Sequence, residues 1–94
     1  MIDKIKIACR ISHNKLDGDI ADSIAYAKSE MVRLGIRQEL TEAAELDADI
    51  QEAIKTYCKS VYTSDKEMTE RYRLSWEYQL DCLRKTQSRR EIDV

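Results

Sequence analysis

The stretch from Ile50 to Tyr62, IQEAIKTYCKSVY, most constrains what this chain can fold into. Its apolar positions recur at steps of three and four residues, the spacing of one wide stripe along an α-helix. They are Ile50, Ala53, Ile54, Tyr57, Cys58 and Val61. Because the remaining polar face is narrow, we expect this helix to form the floor of the core and to be covered on more than one side.

Length and composition point to one small helical domain. The 94 residues suit a single modest core, and a chain with 36% charged residues, no proline and two glycines has a helical composition. The net charge of -2 gives no global reason to bind nucleic acid. Neither a membrane span nor the apolar block of a signal peptide is visible, so we expect a cytoplasmic protein.

Two further amphipathic segments precede the central helix. A short helix is predicted over Ile2 to Arg10 with Asp3 as its cap, and Ile7 and Ile11 lie off its apolar face. These two residues either pack against another helix or form exposed contacts. The stretch from Ser12 to Asn14 then breaks the periodicity, which predicts a tight turn.

The second helix carries the clearest periodicity in the chain. It is predicted to begin near Asn14 or Leu16, with Asn14 and Asp17 as a capping box, and to end at Leu34. Gly35 should close it in a left-handed conformation, with Ile36 folded back on the last turn. Its apolar positions are Leu16, Ile20, Ile24, Ala27, Met31 and Leu34.

The last helix is predicted to begin at a capping box formed by Ser64 and Glu67. Because the turn near Thr63 is short, this helix and the central one should form an antiparallel hairpin. Its apolar stripe comprises Met68, Tyr72, Trp76, Leu80 and Leu83. The predicted fold is therefore all-α, a small bundle of about four helices with a C-terminal arm.

Leu74 and Tyr78 project from another side of the last helix. Two apolar residues four apart on a mostly charged face are candidates for a contact between chains, although single apolar residues are common on protein surfaces.

Opposite charges concentrate in two other segments. The stretch 37–46 is predicted to be a loop with helical tendency, and it opens an acidic run without a basic residue. This run is either a solvated face or a surface that repels polyanions or docks a basic partner. Its acidic residues are Glu39, Glu42, Glu45, Asp47, Asp49 and Glu52.

The C-terminal end is basic. We predict a helical domain over residues 1–85 and an arm over 86–94, with basic residues at Arg84, Lys85, Arg89 and Arg90. Such an arm is either disordered or ordered on an acidic protein surface or on nucleic acid phosphates.

No recognisable catalytic, cofactor-binding or metal-binding motif is present, so we expect a protein that is not an enzyme. His13 is expected to make a local hydrogen bond in its turn. Cys9, Cys58 and Cys82 are far apart, without the paired spacing of a zinc site, and are expected to be reduced core residues.

Two blocks of the sequence resemble the tailed-phage head-tail connector family, also called adaptor or DNA-packaging proteins. The first is IKIACRISHNKLDGDIADSIAYAKSEM, from Ile5 to Met31, and the second is ADIQEAIKTYCKSVY, from Ala48 to Tyr62. Together they cover roughly half of the chain. The resemblance lies in the order and spacing of apolar and acidic positions.

The resemblance implies a helical subunit that forms a ring, commonly a dodecamer, beneath the portal protein of the virion. The ring extends the DNA channel, through which DNA passes without specific binding, and carries the next head-tail interface protein, the stopper. It implies no membrane association, and assembly in the host cytoplasm. Arg84, Lys85, Arg89 and Arg90 would then dock on the portal, and the acidic run would line the channel or a subunit contact.

Two other functions remain open. The stretch from His13 to Gly18 is compatible with the turn of a helix-turn-helix in a DNA-binding or regulatory protein, but Asp17, Asp19 and Asp22 would repel the DNA backbone. A protein-protein adaptor or antitoxin outside phage biology fits the composition equally well.

Overall fold

The computed structural model describes residues 1–85, which form five α-helices and no strand. The predicted all-α class is confirmed. The helices are α1 (Ile2–Ala8), α2 (Asp17–Arg33), α3 (Gln38–Glu42), α4 (Ala48–Tyr62) and α5 (Lys66–Lys85). The short α3 occupies the stretch that was predicted to be a loop with helical tendency. The predicted arm over 86–94 lies outside the described residues.

Helix α4 is the centre of the core, as its apolar stripe predicts. Ile50, Ile54 and Cys58 are fully buried, and α4 packs against α1, α2 and α5. Val61 is the exception on this stripe, because it lies in the last turn of α4 and 46% of its surface is exposed. The prediction that α4 is covered on more than one side is therefore confirmed, except at its C-terminal turn.

Helices α4 and α5 form the predicted antiparallel hairpin. The rings of Tyr57 and Trp76 have centroids 5.2 Å apart, and Lys59 Nζ lies 5.9 Å from the centroid of the Tyr72 ring. Residue numbers thus rise along α4 as they fall along α5. Tyr26 of α2 extends the aromatic packing, because its ring centroid is 5.4 Å from that of Tyr57.

Two helices end in the same left-handed turn, and only one of these turns was predicted. Gly35 has a φ of 100°, and the N–H of Ile36 donates to the Met31 carbonyl at 3.0 Å, as expected. At the end of α1, Arg10 takes the equivalent position with a φ of 58°, and the N–H of Ile11 bonds to the Lys6 carbonyl at 2.8 Å. Helix α1 therefore ends at Ala8, earlier than predicted.

The helix starts differ from the predicted caps of α1 and α2. Asp3 lies within α1, whose cap residue is Met1. The Asn14 capping box is wrong because the Asn14 side chain accepts a hydrogen bond from Lys6 Nζ at 2.6 Å, and α2 begins only at Asp17. Lys6 also lies 3.1 Å from Asp17 Oδ1, so it ties α1 to the start of α2.

At the start of α5 the predicted Ser64 cap is also wrong. Asp65 Oδ1 instead accepts hydrogen bonds from the backbone N–H of Glu67 at 3.0 Å and of Met68 at 3.4 Å. An aspartate so placed satisfies the first free amides of the helix and adds negative charge at its positive end.

Candidate functional surfaces

The first candidate is the outer face of α5, which we define by Leu74 and Tyr78. Their side chains are 54% and 70% exposed, on the opposite side of the helix from the buried Trp76 and Leu80. The predicted exposure of this pair is confirmed, while its role as a subunit contact stays a prediction. On an adjacent side of α5, Arg73 makes ion pairs with Glu70 at 2.6 Å and Glu77 at 3.2 Å. Charges flanking the outer face are thus paired within the helix.

A groove adjoins the outer face where α4 begins and α5 ends. We call it the terminal groove, and its volume is about 310 Å³. It is lined by Asp49, Glu52, Tyr78, Gln79, Cys82 and Leu83. The Tyr78 hydroxyl and the Cys82 thiol are hydrogen-bond partners, which raises the pKa of Tyr78.

Gln79, which lines the terminal groove, has a buried polar atom that lacks a partner among the described residues. Gln79 Oε1 is buried and accepts no hydrogen bond within residues 1–85. Glu52 on the rim pairs with Lys55 at 3.3 Å, while Asp49 Oδ1 accepts a hydrogen bond from the Ile50 backbone at 3.0 Å. The groove therefore combines an acidic rim, an apolar lining and one unsatisfied acceptor.

The basic end of α5 is exposed. Lys85 Nζ lies 2.8 Å from Asp81 Oδ2, and this hydrogen-bonded ion pair raises the pKa of Lys85 and lowers that of Asp81. Arg84 is also exposed. Arg89 and Arg90, the other residues predicted to bind the portal, lie outside the described residues.

The acidic run, one stretch in sequence, is spread over three clefts. Glu42 lines a cleft between α2 and α3, Glu45 lines another beside Met1, and Asp49 lines the terminal groove. Glu39 pairs with Arg37, and Glu42 accepts a hydrogen bond from Gln38 at 2.8 Å.

Within this run, Asp47 occupies the N-cap position of α4 and Asp49 lies in its first turn. Because the hairpin is antiparallel, these residues lie at the same end of the molecule as Arg84 and Lys85. The structure thus places two predicted sites of opposite charge, which are far apart in sequence, at the same end of the molecule.

Sequence reasoning missed a further cleft at the other end of the hairpin. This turn-end cleft has a volume of about 310 Å³, and two cations, Arg10 and Lys59, line it together with the Tyr62, Thr63 and Tyr72 side chains. The left-handed turn that places Arg10 there has no signal in the sequence, because glycine or asparagine normally occupies that position.

The potentially reactive side chains are dispersed. Cys58 is buried, and burial raises its pKa to about 12. Cys9 is half-buried, but the expectation that Cys82 is a core residue is wrong, because it lies on the exposed side of the last turns of α5. His13 accepts a hydrogen bond at Nδ1 from the Lys15 backbone at 3.2 Å, which confirms its predicted local role. Within residues 1–85, no group of three or more His, Cys, Asp or Glu side chains is placed to hold a metal ion.

Comparison of the chain with models of known families, with curated proteins and with solved structures gives no match. None of the helices in the described part of the chain is long and apolar enough to cross a membrane.

Proposed function

We propose that this chain is a structural subunit of a tailed-phage or prophage head-tail connector. It forms a ring beneath the portal, extends the DNA channel and provides the platform for the next interface protein. This role rests on surfaces and uses neither a cofactor nor a catalytic group. The protein acts at the head-tail interface of the virion and assembles in the host cytoplasm.

The observation that carries this proposal is the order of the helices. The helices follow one another in the order that the sequence resemblance implies. This order is the short α1, a turn, the amphipathic α2, a variable stretch with α3, and the α4–α5 hairpin. The two blocks of resemblance fall on α1 with α2 and on α4. The stretch 37–46 lies outside both blocks.

The outer face of α5 supports a role in assembly. Fully burying a side chain such as Leu74 contributes about 1.5–3 kcal/mol, and this contribution is largely unused while the side chain is exposed. The Tyr78 ring adds a larger apolar surface with a hydroxyl group, a combination common in interfaces. A neighbouring subunit would bury both.

The acidic run suits a channel wall. Negative side chains lower the affinity of the wall for the phosphate backbone, which favours DNA that slides over DNA that binds. Glu45, Asp47 and Asp49 are exposed and belong to this run.

The direct test is the mass of the chain, measured by light scattering after gel filtration, alone and mixed with the portal protein of the same genome. We expect several copies of the chain to join each portal ring. Absence of any complex at both low and high salt would contradict the proposal.

Reversing the arm charges with Arg89→Glu and Arg90→Glu should weaken attachment to the portal at least tenfold without changing the helical circular dichroism signal. A matched control reverses Lys15 and Lys66, which are exposed near the other end of the hairpin. Equal binding by the arm variant and the wild type would remove the arm from the portal contact.

The DNA-binding alternative has one observation in its favour. Arg10 and Lys59 line the turn-end cleft, and neither has a carboxylate partner among the described residues. DNA binding that weakens steeply with salt, and that is lost in Arg10→Ala with Lys59→Ala, would support this alternative. The acidic first turn of α2, with Asp17 and Asp19, argues against a recognition helix there.

A further inference from the structure

The terminal groove lies at the end of the molecule that carries both the acidic start of α4 and the basic end of α5. Asp49 and Glu52 of α4 form one side, and Tyr78 and Cys82 of α5 form the other. The last described residue, Lys85, ends α5 at this same end. Lys85 therefore lies at the groove end of the hairpin.

The lining of the groove specifies the chemistry of its occupant. Carboxylates on the rim favour a cation, and the side chains of Tyr78 and Leu83 favour an apolar residue. The buried Gln79 Oε1 needs a donor, which a backbone N–H or a guanidinium group can supply.

We infer that the terminal groove binds residues 86–94 of the same chain. This segment reads TQSRREIDV and supplies two arginines for the acidic rim, at 89 and 90, and an aliphatic residue, Ile92, for the apolar lining. It also carries Glu91 and Asp93, so the attraction to the rim depends on the two arginines and not on the net charge of the segment. Where the proposed function holds, the portal must displace the segment from the groove before the arginines can dock on it.

The reach of the segment fits an occupant from the same chain. Arg89 is four residues beyond Lys85 and Ile92 is seven beyond it, so they can lie up to about 13 Å and about 23 Å from Lys85. Along α5, Gln79 is only about 9 Å from Lys85. The segment is thus long enough to turn back over the groove.

The tether also favours the same chain over a second copy. A short covalent connection within one chain gives an effective concentration on the order of millimolar, far above the micromolar concentrations of a purified protein. Attraction between the arginines and the carboxylates should weaken with salt, because the groove is open to solvent.

Cys82 allows a direct test, because it is an exposed thiol that lines the groove. In full-length Ile92→Cys treated with oxidised glutathione, we expect an intrachain disulfide between positions 82 and 92, identified by peptide mass mapping. Cys58 is buried with a raised pKa, and burial also raises the pKa of Cys9, so both should react slowly.

Two controls calibrate the rate. Ile7→Cys places a thiol at a residue that is 79% exposed on α1, away from the groove, and should pair with Cys82 at least ten times more slowly. Adding Arg89→Glu and Arg90→Glu to Ile92→Cys should slow trapping at least threefold at low salt, and much less in 1 M NaCl. Trapping no faster than in Ile7→Cys, or a disulfide that links two chains, would overturn the inference.

Portal binding by the trapped protein separates this inference from the proposed function. The disulfide form should bind the portal at least tenfold more weakly than the same protein after reduction. If trapping occurs but neither form binds the portal, the groove inference stands and the connector proposal fails. If both forms bind equally well, the segment and the portal do not compete.

Discussion

Both faces of α5 carry apolar residues at helical spacing, but only one of the two faces is buried. On the inner face, Trp76, Leu80 and Leu83 are buried against the rest of the bundle, whereas Leu74 and Tyr78 on the outer face remain exposed. Apolar residues at helical spacing therefore identify a surface that is suited to a partner. Whether that partner lies in the same chain depends on where the neighbouring helices pack.

We therefore expect the inner face to determine the stability of the fold and the outer face to determine assembly. The inner face meets α4, whose Ile54 is fully buried, and side chains there should dominate the free energy of unfolding. The outer face contributes little to that free energy while it is exposed. Substitutions on the two faces should therefore affect different measurements.

The largest effect is expected from Ile54→Asp. A carboxylate without a partner in this fully buried position costs several kcal/mol, comparable with the total stability of a small domain, roughly 5–15 kcal/mol. The variant should lose its cooperative thermal transition by circular dichroism. Val61→Asp is the matched control on the same stripe and should remain folded. A folded Ile54→Asp would mean that the stripe of α4 is an interface and not a core.

A smaller loss is expected on the inner face of α5 itself. Trp76→Ala removes a buried ring that packs against Tyr57 and should lower the free energy of unfolding by about 3–5 kcal/mol. Urea denaturation followed by circular dichroism measures this loss. Trp76→Phe keeps part of the packing and should lose less than half as much. A change below about 1 kcal/mol in Trp76→Ala would show that the inner face does not carry the stability.

The smallest effect on stability is expected on the outer face. Replacing both Leu74 and Tyr78 with serine should change the free energy of unfolding by less than about 1 kcal/mol, because exposed side chains lose few contacts. The same urea titration provides the comparison. A loss as large as that of Trp76→Ala would show that the two faces are energetically alike.

Much of the fold follows from local patterns in the sequence. The stripe on α4 and the left-handed Gly35 that follows α2 were predictable because they depend on helical periodicity and on the conformational freedom of glycine. The left-handed Arg10 was not, because arginine carries no preference for that conformation. The capping box predicted at Ser64 was wrong because Asp65, the next residue, accepts the hydrogen bond from the Glu67 backbone amide.

Side-chain environments set by distant residues were harder to predict. Of the two residues off the α1 stripe, Ile11 packs partly against the core, while Ile7 is exposed. Cys82 and Asp49 lie far apart in sequence, and only the antiparallel hairpin brings them into one groove. The outer face was predictable because Leu74 and Tyr78 lie off the apolar stripe of their own helix.

The central claim is that the outer face of α5 is covered by another subunit in a ring. Light scattering of portal complexes made with the wild type and with the folded Leu74→Ser, Tyr78→Ser double variant tests it most directly. The account predicts several copies of the wild-type chain on each portal ring and a clearly lower mass for the variant complex. Complexes of equal mass would contradict it, because the outer face would then have no part in assembly.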